Sequence, residues 1–209
     1  MTEIKIIDNF LSDSDFKKIT SLTLDQIPEN SIKVYHNEID KRNNIQKSCL
    51  ESSLIETLHK NYHQKAFKIL ENLNYKKSKL YDYSDFTIIK TGKNYKYPIH
   101  DDTPNKLLSG VIYLQPKINT GTIFYKNKKG AGREEVEWKE NRAVFFSRTE
   151  RESWHSYQGN GISDRVALVF NLMTTNIKEV YKIEKKSYFL GNLRYKLNPY
   201  IFNYFKLVI

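Results

Sequence analysis

The pattern of hydrophobic and polar positions divides the chain into a helical first part and a β-rich second part. Apolar residues recur at helical spacing over 13–24, directly after the N-cap candidate Ser12, and again over 54–73. The second stretch carries the stronger stripe and predicts a long helix with one buried face. The opening run at 4–7 predicts a short strand, whereas residues 25–48 are polar and irregular, which is typical of loops with room for one short strand at 32–35.

Short runs of β-branched and aromatic residues follow from about residue 83 and are separated by turns that contain Gly, Asn, Lys or Pro. These runs are 86–89, 107–114, 122–125, 136–138, 143–146 and 166–172. Many short strands at this spacing predict a sandwich or a barrel, with jelly rolls among the candidates. The tail after residue 181 is rich in aromatic residues and lysine, and Pro199 interrupts it.

Composition narrows the class of protein. The chain has 209 residues, of which 39% are hydrophobic, so it can build one sizeable core, and its 15 tyrosines and 11 phenylalanines exclude a mainly disordered chain. No apolar run reaches the ~20 residues that a membrane-spanning helix needs, and no secretory signal is visible. Because Cys49 is the single cysteine, no intrachain disulfide is expected, and we expect a cytoplasmic protein.

The formal net charge of +10 does not by itself select a partner. Such a charge suits nucleic acid, an anionic membrane or an acidic substrate, but it also follows from a general enrichment in lysine. The basic residues are scattered rather than gathered on one predicted helix. The basic segment 126–133 is either a solvated connection between strands or a loop that closes over an anionic substrate.

One group of residues carries recognisable chemistry. His100 and Asp102 stand two residues apart in extended chain, so their side chains point to the same face and can bind one metal ion. Asp101 is the alternative carboxylate, but it would point to the opposite face. His155 supplies a second imidazole, and two histidines with one carboxylate suit non-haem Fe(II). Arg165, ten residues further on, is placed to bind a carboxylate through paired hydrogen bonds.

Further segments stand in a recognisable order around these residues. They are Gly92, 97–102, 111–115, 121–124, 141–146, 154–156 and 164–168. Together they resemble the Fe(II)- and 2-oxoglutarate-dependent dioxygenases, most closely the prolyl-4-hydroxylase-like branch, over residues 84–173. The resemblance implies a mostly β protein with flanking helices and a double-stranded β-helix core of the jelly-roll, cupin-like type.

The same resemblance implies one dioxygenase domain over residues 1–209. In this division residues 1–83 form an N-terminal helical support, residues 84–174 form the jelly-roll core, and residues 175–209 form a C-terminal extension. The aromatic residues of that extension predict packing on the core or a homodimer, because so large an apolar area does not stay exposed to water.

The resemblance also implies roles for individual residues. His100, Asp102 and His155 are expected to be the catalytic Fe(II) ligands, and Arg165 is expected to hold the distal carboxylate of 2-oxoglutarate. The implied activity hydroxylates a substrate with O2 while 2-oxoglutarate is decarboxylated to succinate and CO2, and ascorbate is a candidate reductant. Related halogenases lack the carboxylate ligand, so the presence of Asp102 favours hydroxylation.

Two further residues match positions that contact the cosubstrate in some relatives. They are Tyr113 and Thr122, and each is also compatible with an ordinary residue of a buried strand. Lys90 stands where many relatives have tyrosine, and its role is open between assisting the anionic cosubstrate and pointing to solvent. His59 and His63 have a spacing that can bind metal, but without a third ligand we expect them on a solvated helix face.

The substrate is open between peptidyl proline and a small molecule. A nucleic-acid substrate is not expected, because the second arginine of the branch that repairs alkylated bases would fall at Asn171. The alternative function is a non-catalytic jelly-roll module that binds an anionic ligand or polymer. Turnover of 2-oxoglutarate separates the two functions.

Overall fold

Two antiparallel sheets form the centre of this computed structural model, which describes residues 2–205 and the side chains of residues 2–201. Among the described residues the larger sheet contains eight strands. In spatial order they are β1 (Ile4–Ile7), β10 (Ala143–Phe146), β7 (Lys106–Gln115), β12 (Arg165–Met173), β5 (Tyr83–Thr91), β3 (Glu38–Asp40) and β4 (Ile45–Lys47), and β2 (Ile32–Tyr35) also pairs with β5. The smaller sheet has the order β6 (Lys96–His100), β11 (His155–Gln158), β8 (Ile123–Phe124) and β9 (Glu134–Glu135).

Alternation along the central strands sends side chains to opposite faces of the larger sheet. On β12, Leu168 and Phe170 belong to the main hydrophobic core, whereas Val169 faces a cavity between the two sheets. Beside this cavity the sheets are joined by aromatic contacts, since the ring of Phe124 on β8 lies 5.2 Å from that of Phe146 on β10. The arrangement confirms the predicted mostly β architecture with a jelly-roll core.

Helices cover the outer side of the larger sheet and follow its last strand. The hydroxyl of Ser12 accepts a hydrogen bond from the N–H of Asp15 at 3.2 Å and so caps the first helix, as its sequence predicts. The stripe of the second helix, which includes Leu54, Ile55 and Leu58, is buried in the main core. The helices are α1 (Asp13–Thr20), α2 (Ser52–Ser78), α3 (Ile177–Ile183) and α4 (Tyr188–Phe205). No helix within residues 2–205 is long and apolar enough to cross a membrane.

Three predicted elements differ from the structure. The first helix ends at Thr20, although Leu22 and Leu24 continue to pack on the core and so prolong the apolar pattern. Residues 136–138 are not a strand: the N–H of Val136 donates to the carbonyl oxygen of Thr122 at 2.9 Å, but the ladder of β9 ends at Glu135, and the side chains of Val136 and Trp138 insert into the cluster between the sheets. The polar segment 25–48 contains the short strand expected at 32–35, which is β2, and two further short strands, β3 and β4, in place of the expected loops.

Both flanking segments contribute more than the sequence indicates. Residues 1–83 supply β1 to β4 to the larger sheet in addition to the expected helices. The C-terminal segment forms α3 and α4, and Pro199 lies inside α4. Of the aromatic residues predicted to pack or dimerise there, the side chains of Phe202, Tyr204 and Phe205 lie outside the described residues.

Candidate metal and cosubstrate site

Strand pairing brings the three predicted metal ligands together. His100 ends β6 and His155 begins β11, and the two residues are direct partners in the register of these strands. Asp102 follows two residues after His100, and one ligand atom from each of the three side chains lies within 4.8 Å of the other two. Among the described residues this is the one group of three or more such side chains that is placed to hold a metal ion.

Backbone contacts orient both imidazoles. The Nδ1 atom of His100 lies 3.0 Å from the carbonyl oxygen of Pro98, and that of His155 lies 2.9 Å from the carbonyl oxygen of Ser153. Because a carbonyl oxygen only accepts, Nδ1 of each ring carries the proton and Nε2 keeps its lone pair for a metal. Burial, reinforced by the electrostatic interaction with the neighbouring imidazole of His155, lowers the pKa of His100 to about 3, so the His100 ring is neutral at neutral pH.

Two donors hold the carboxylate of Asp102. The ammonium of Lys106 donates to Oδ1 at 2.7 Å, and the hydroxyl of Ser109 donates to Oδ2 at 2.5 Å. Burial acts to raise the pKa of Asp102, but the electrostatic interactions with the ammonium of Lys106 and with the imidazoles of His155 and His100 outweigh it and keep the pKa well below its usual range. The carboxylate is therefore ionised and oriented. Sequence reasoning missed Lys106, although its position four residues after Asp102 is a detectable signal.

The neighbouring carboxylate of Asp101 has a different role. Its Oδ2 accepts the backbone N–H of Arg151 at 2.6 Å, and its Oδ1 accepts the hydroxyl of Ser153 at 2.6 Å. Asp101 therefore holds the turn that leads into His155. The preference for Asp102 over Asp101 as the metal ligand agrees with this geometry.

Arg165 is a buried cation in an aromatic cage. Arg165 is 6% exposed. Its guanidinium carbon lies 4.2 Å from the centre of the Tyr157 ring and 5.3 Å from the centre of the Trp138 ring. Burial lowers the pKa of Arg165, and no carboxylate among the described residues opposes this effect. Its Nε has no hydrogen-bond partner in the described part of the chain. A buried charge without a counter-ion is costly, so this site fits an anion supplied by a ligand.

Tyr113 and Thr122 lie together beside Arg165. The hydroxyl of Tyr113 donates to Oγ1 of Thr122 at 3.1 Å and accepts the backbone N–H of Thr122 at 2.8 Å. The ring of Tyr113 stacks on that of Trp138 at 4.5 Å and lies 5.7 Å from the Arg165 guanidinium. Thr122 lines the cavity, and the hydroxyl of Tyr113 holds Thr122 in place through these two hydrogen bonds.

Lys90 points away from this site. On β5 the cavity is lined by Ile89 and Thr91, so the alternation of the strand places Lys90 on the other face. Its ammonium donates to the carbonyl oxygen of Asp25 at 2.9 Å and lies 3.6 Å from the carboxylate of Asp164. Lys90 therefore ties the loop before β2 to the loop before β12, and its contacts give it no part in binding the cosubstrate.

Of the two helical histidines His59 is buried and His63 is half-buried, which corrects the prediction of a solvated face. The rings of His59 and His63 stack at 4.6 Å, and they contact Phe86 and Tyr81 respectively. Burial lowers the pKa of both, that of His63 to about 4. The pair packs between α2 and the sheet as neutral aromatic rings.

The site opens into a cavity of about 400 Å³ between the sheets. Its floor contains His100, Asp102 and His155, and Arg165 also lines it. Helix α4 forms part of the wall through residues that include Arg194, Tyr195 and Pro199. Sequence patterns do not indicate that this helix covers the site, because its aromatic residues predict that it packs on another surface without showing which one.

No family model matches the sequence, and no curated protein matches it. Solved structures do match its fold. A prolyl-4-hydroxylase from Pseudomonas putida has a TM-score of 0.56 and 14% identity, with 83% of this chain and 94% of that chain covered. A prolyl hydroxylase from Trichoplax adhaerens, in complex with a peptide fragment of hypoxia inducible factor, has a TM-score of 0.61 and 15% identity, with 86% and 87% covered.

A third solved structure widens the comparison beyond the prolyl hydroxylases. An oxidoreductase of the 2OG-Fe(II) oxygenase family from Burkholderia pseudomallei has a TM-score of 0.58 and 14% identity, with 81% of this chain and 84% of that chain covered. At such identities the likeness establishes architecture. The chain therefore has the jelly-roll fold of the prolyl hydroxylases and other 2OG-Fe(II) oxygenases.

Proposed function

We propose that the chain is an Fe(II)- and 2-oxoglutarate-dependent dioxygenase that hydroxylates a small molecule or a peptidyl proline. The observation that carries this proposal is the presence, in one cavity, of the His100–Asp102–His155 cluster and the unpaired, caged guanidinium of Arg165. Two neutral imidazoles and one carboxylate fit Fe(II) and leave coordination positions open for ligands.

The three ligands and their supports have distinct tasks in this proposal. His100 and His155 would bind the metal through Nε2, because their Nδ1 protons are held by backbone carbonyls. Asp102 would supply the negative charge, with Lys106 and Ser109 fixing the plane of its carboxylate. When bound, the iron, together with 2-oxoglutarate and O2, supplies the oxidising chemistry that yields succinate, CO2 and a hydroxylated product.

Arg165 would bind the distal carboxylate of 2-oxoglutarate in this scheme. A guanidinium donates two parallel hydrogen bonds to a carboxylate, and the aromatic cage keeps water away from the pair. Thr122, oriented by Tyr113, would add a hydroxyl beside the same ligand. Apolar walls that include Val111, Val169 and Phe146 would exclude water from the substrate.

An anaerobic titration tests the proposal. Metal-free protein receives Fe(II) and then 2-oxoglutarate, and the weak visible charge-transfer band of the chelate is recorded. We expect the band in the unchanged protein, its loss in His155→Ala, and a 10- to 100-fold higher demand for 2-oxoglutarate in Arg165→Gln, since a charged hydrogen-bonded pair is worth about 1.5–3 kcal/mol. Lys90→Gln is the matched control, because this buried lysine lies outside the cavity.

The opposite result has a clear meaning. If folded protein binds Fe(II) and no band forms, the dioxygenase proposal fails and the alternative, a non-catalytic module that binds an anionic ligand, takes its place. If the band forms, succinate release with candidate substrates follows, with and without ascorbate to test the proposed reductant.

We also propose a cytoplasmic location and a homodimer. The location rests on the single free cysteine, Cys49, which is exposed. The dimer rests on apolar side chains that α4 leaves in solvent, among them Phe189 at 75% and Tyr200 at 67% exposure. Light scattering of the unchanged protein against Phe189→Ser tests the dimer, and a monomer at all concentrations would refute it.

A further inference from the structure

The cavity holds more positive than negative side chains. Three carboxylates line it, those of Asp101, Asp102 and Glu150. Five cations line it: Lys106, Arg148, Arg151, Arg165 and Arg194. A cavity with this balance attracts anions even before the charge of a metal is counted.

The contacts inside the cavity show which cations have a carboxylate partner and which share one. Asp102 pairs with Lys106 at 2.7 Å, and the carboxylate of Glu150 pairs with both Arg148 and Arg194. Arg165 and Arg151 form no ion pair with any residue whose side chain is described. The proposed function assigns an anion to Arg165, which leaves Arg151 as a second uncompensated guanidinium.

Arg151 is an exposed residue of the cavity lining, and its backbone is held in an unusual conformation. Its φ is 61°, a left-handed value that costs a non-glycine residue about 1 kcal/mol or more. Its N–H donates to Asp101 at 2.6 Å, and its carbonyl oxygen accepts the indole N–H of Trp154 at 2.8 Å. Asp101 and Trp154 are each next to a proposed metal ligand, so the backbone of Arg151 is anchored beside the metal site.

Two further cations lie near Arg151 on separate elements. Arg194 reaches the cavity from α4 and has one nitrogen 2.8 Å from Glu150. Lys128 belongs to the basic loop 126–133, and burial together with the charges of Arg151 and Arg194 lowers its pKa. Like charges gathered from three parts of the fold repel one another, and a bound anion relieves that repulsion.

We propose that Arg151 and Arg194 bind the carboxylate or phosphate group of the primary substrate, a small anionic molecule. That this molecule is the substrate which the enzyme oxidises rests on the proposed function. That Arg151 and Arg194 bind an anion does not depend on it. A small molecule fits better than a peptide, because Tyr195 and Pro199 of α4 line the cavity together with Arg194 and so limit the space for a longer chain.

The test measures anion binding without metal or cosubstrate. Inorganic phosphate and 13C-labelled acetate are titrated with metal-free protein, and binding is followed by the broadening of their 31P and 13C resonances. Arg151→Asn is the main variant, because asparagine tolerates the left-handed backbone while it removes the charge. Lys129→Gln, one residue from Lys128 in the same exposed loop, is the matched control.

We expect Arg151→Asn to weaken binding of the preferred anion tenfold or more, because a charge-assisted hydrogen bond is lost. Arg194→Gln is expected to act in the same direction, whereas Lys129→Gln is expected to stay within about twofold. A stronger response to phosphate than to acetate assigns a phosphorylated substrate, and the reverse assigns a carboxylate. Arg151→Lys keeps the charge and should retain binding, which preserves the test if the Asn variant does not fold.

Two results would overturn the proposal. One is equal binding by the unchanged protein and Arg151→Asn. The other is loss of all anion binding in Arg165→Gln, which would mean that the cavity has a single anion site. Neither measurement needs Fe(II) or 2-oxoglutarate. If the protein binds the anion but forms no charge-transfer band in the Fe(II) titration, the dioxygenase proposal fails and the proposal of an anion site at Arg151 and Arg194 stands.

Discussion

Lys106 is the cation that compensates Asp102 when no metal is bound. Its ammonium lies 2.7 Å from the carboxylate, and its side chain is 23% exposed. Removing one partner of a buried ion pair usually costs about 3–5 kcal/mol. Because Lys106 is partly exposed and Ser109 still donates to Asp102, we expect Lys106→Met to lower the free energy of unfolding of the metal-free protein by about 2 kcal/mol.

The same substitution should strengthen metal binding. A divalent cation placed between His100, Asp102 and His155 compensates the carboxylate in place of the ammonium, so the metal-bound protein should lose only about 1 kcal/mol. The difference of about 1 kcal/mol corresponds by linkage to a roughly fivefold lower Kd for the metal. Removing a positive charge next to a divalent cation acts in the same direction.

Urea unfolding of metal-free and Mn(II)-loaded protein, with the metal Kd from chelator competition, measures both effects. Lys106→Arg keeps the charge and is the matched control, expected to stay near the unchanged protein in both assays. Weaker metal binding in Lys106→Met would show that Lys106 acts mainly by orienting Asp102. Unchanged stability of the metal-free variant would show that solvent, and not the ammonium, compensates the carboxylate.

Two further predictions concern the rest of the fold. Glu184→Gln should cost about 3 kcal/mol of unfolding free energy, because Lys77 and Arg148 are buried and both pair with this carboxylate; an unchanged urea midpoint would contradict the role of this network. The second prediction concerns His63, whose pKa burial lowers to about 4. The unfolded chain therefore binds a proton between about pH 6.5 and 4 that the native state does not, and stability falls as the pH falls through this window. His63→Phe should remove about 1–2 kcal/mol of the loss between pH 7 and pH 5, and an equal loss in both proteins would exclude His63 as its source.

Local patterns predicted much of the fold and the centre of the site. The long helix and the strands at 4–7, 107–114 and 166–172 follow from apolar periodicity, which is set within a few residues. The spacing of His100 and Asp102 placed both side chains on one face for the same reason. Period-two alternation would also have placed Lys90 on the face away from the cavity, since Ile89 and Thr91 face it.

Long-range contacts account for what local patterns missed. The sequence does not show that the carboxylate of Glu184, at the end of α3, joins Lys77 of α2 to the buried Arg148. Nor does it show that the backbone N–H of Arg151 donates a hydrogen bond to the carboxylate of Asp101, which lies 50 residues earlier in the chain. Such pairs satisfy each other's charge and hydrogen bonds only after distant segments dock.

By itself, the sequence determined the helical and β-rich segments and the residue types of a two-histidine, one-carboxylate site, because periodicity and short spacing are local properties. The tertiary structure alone decided that His155 lies opposite His100, that His59 and His63 stack against the core instead of facing solvent, and that α4 lines the cavity. The physical reason is that register, burial and charge compensation depend on which surfaces meet, and those surfaces come from parts of the chain that are far apart.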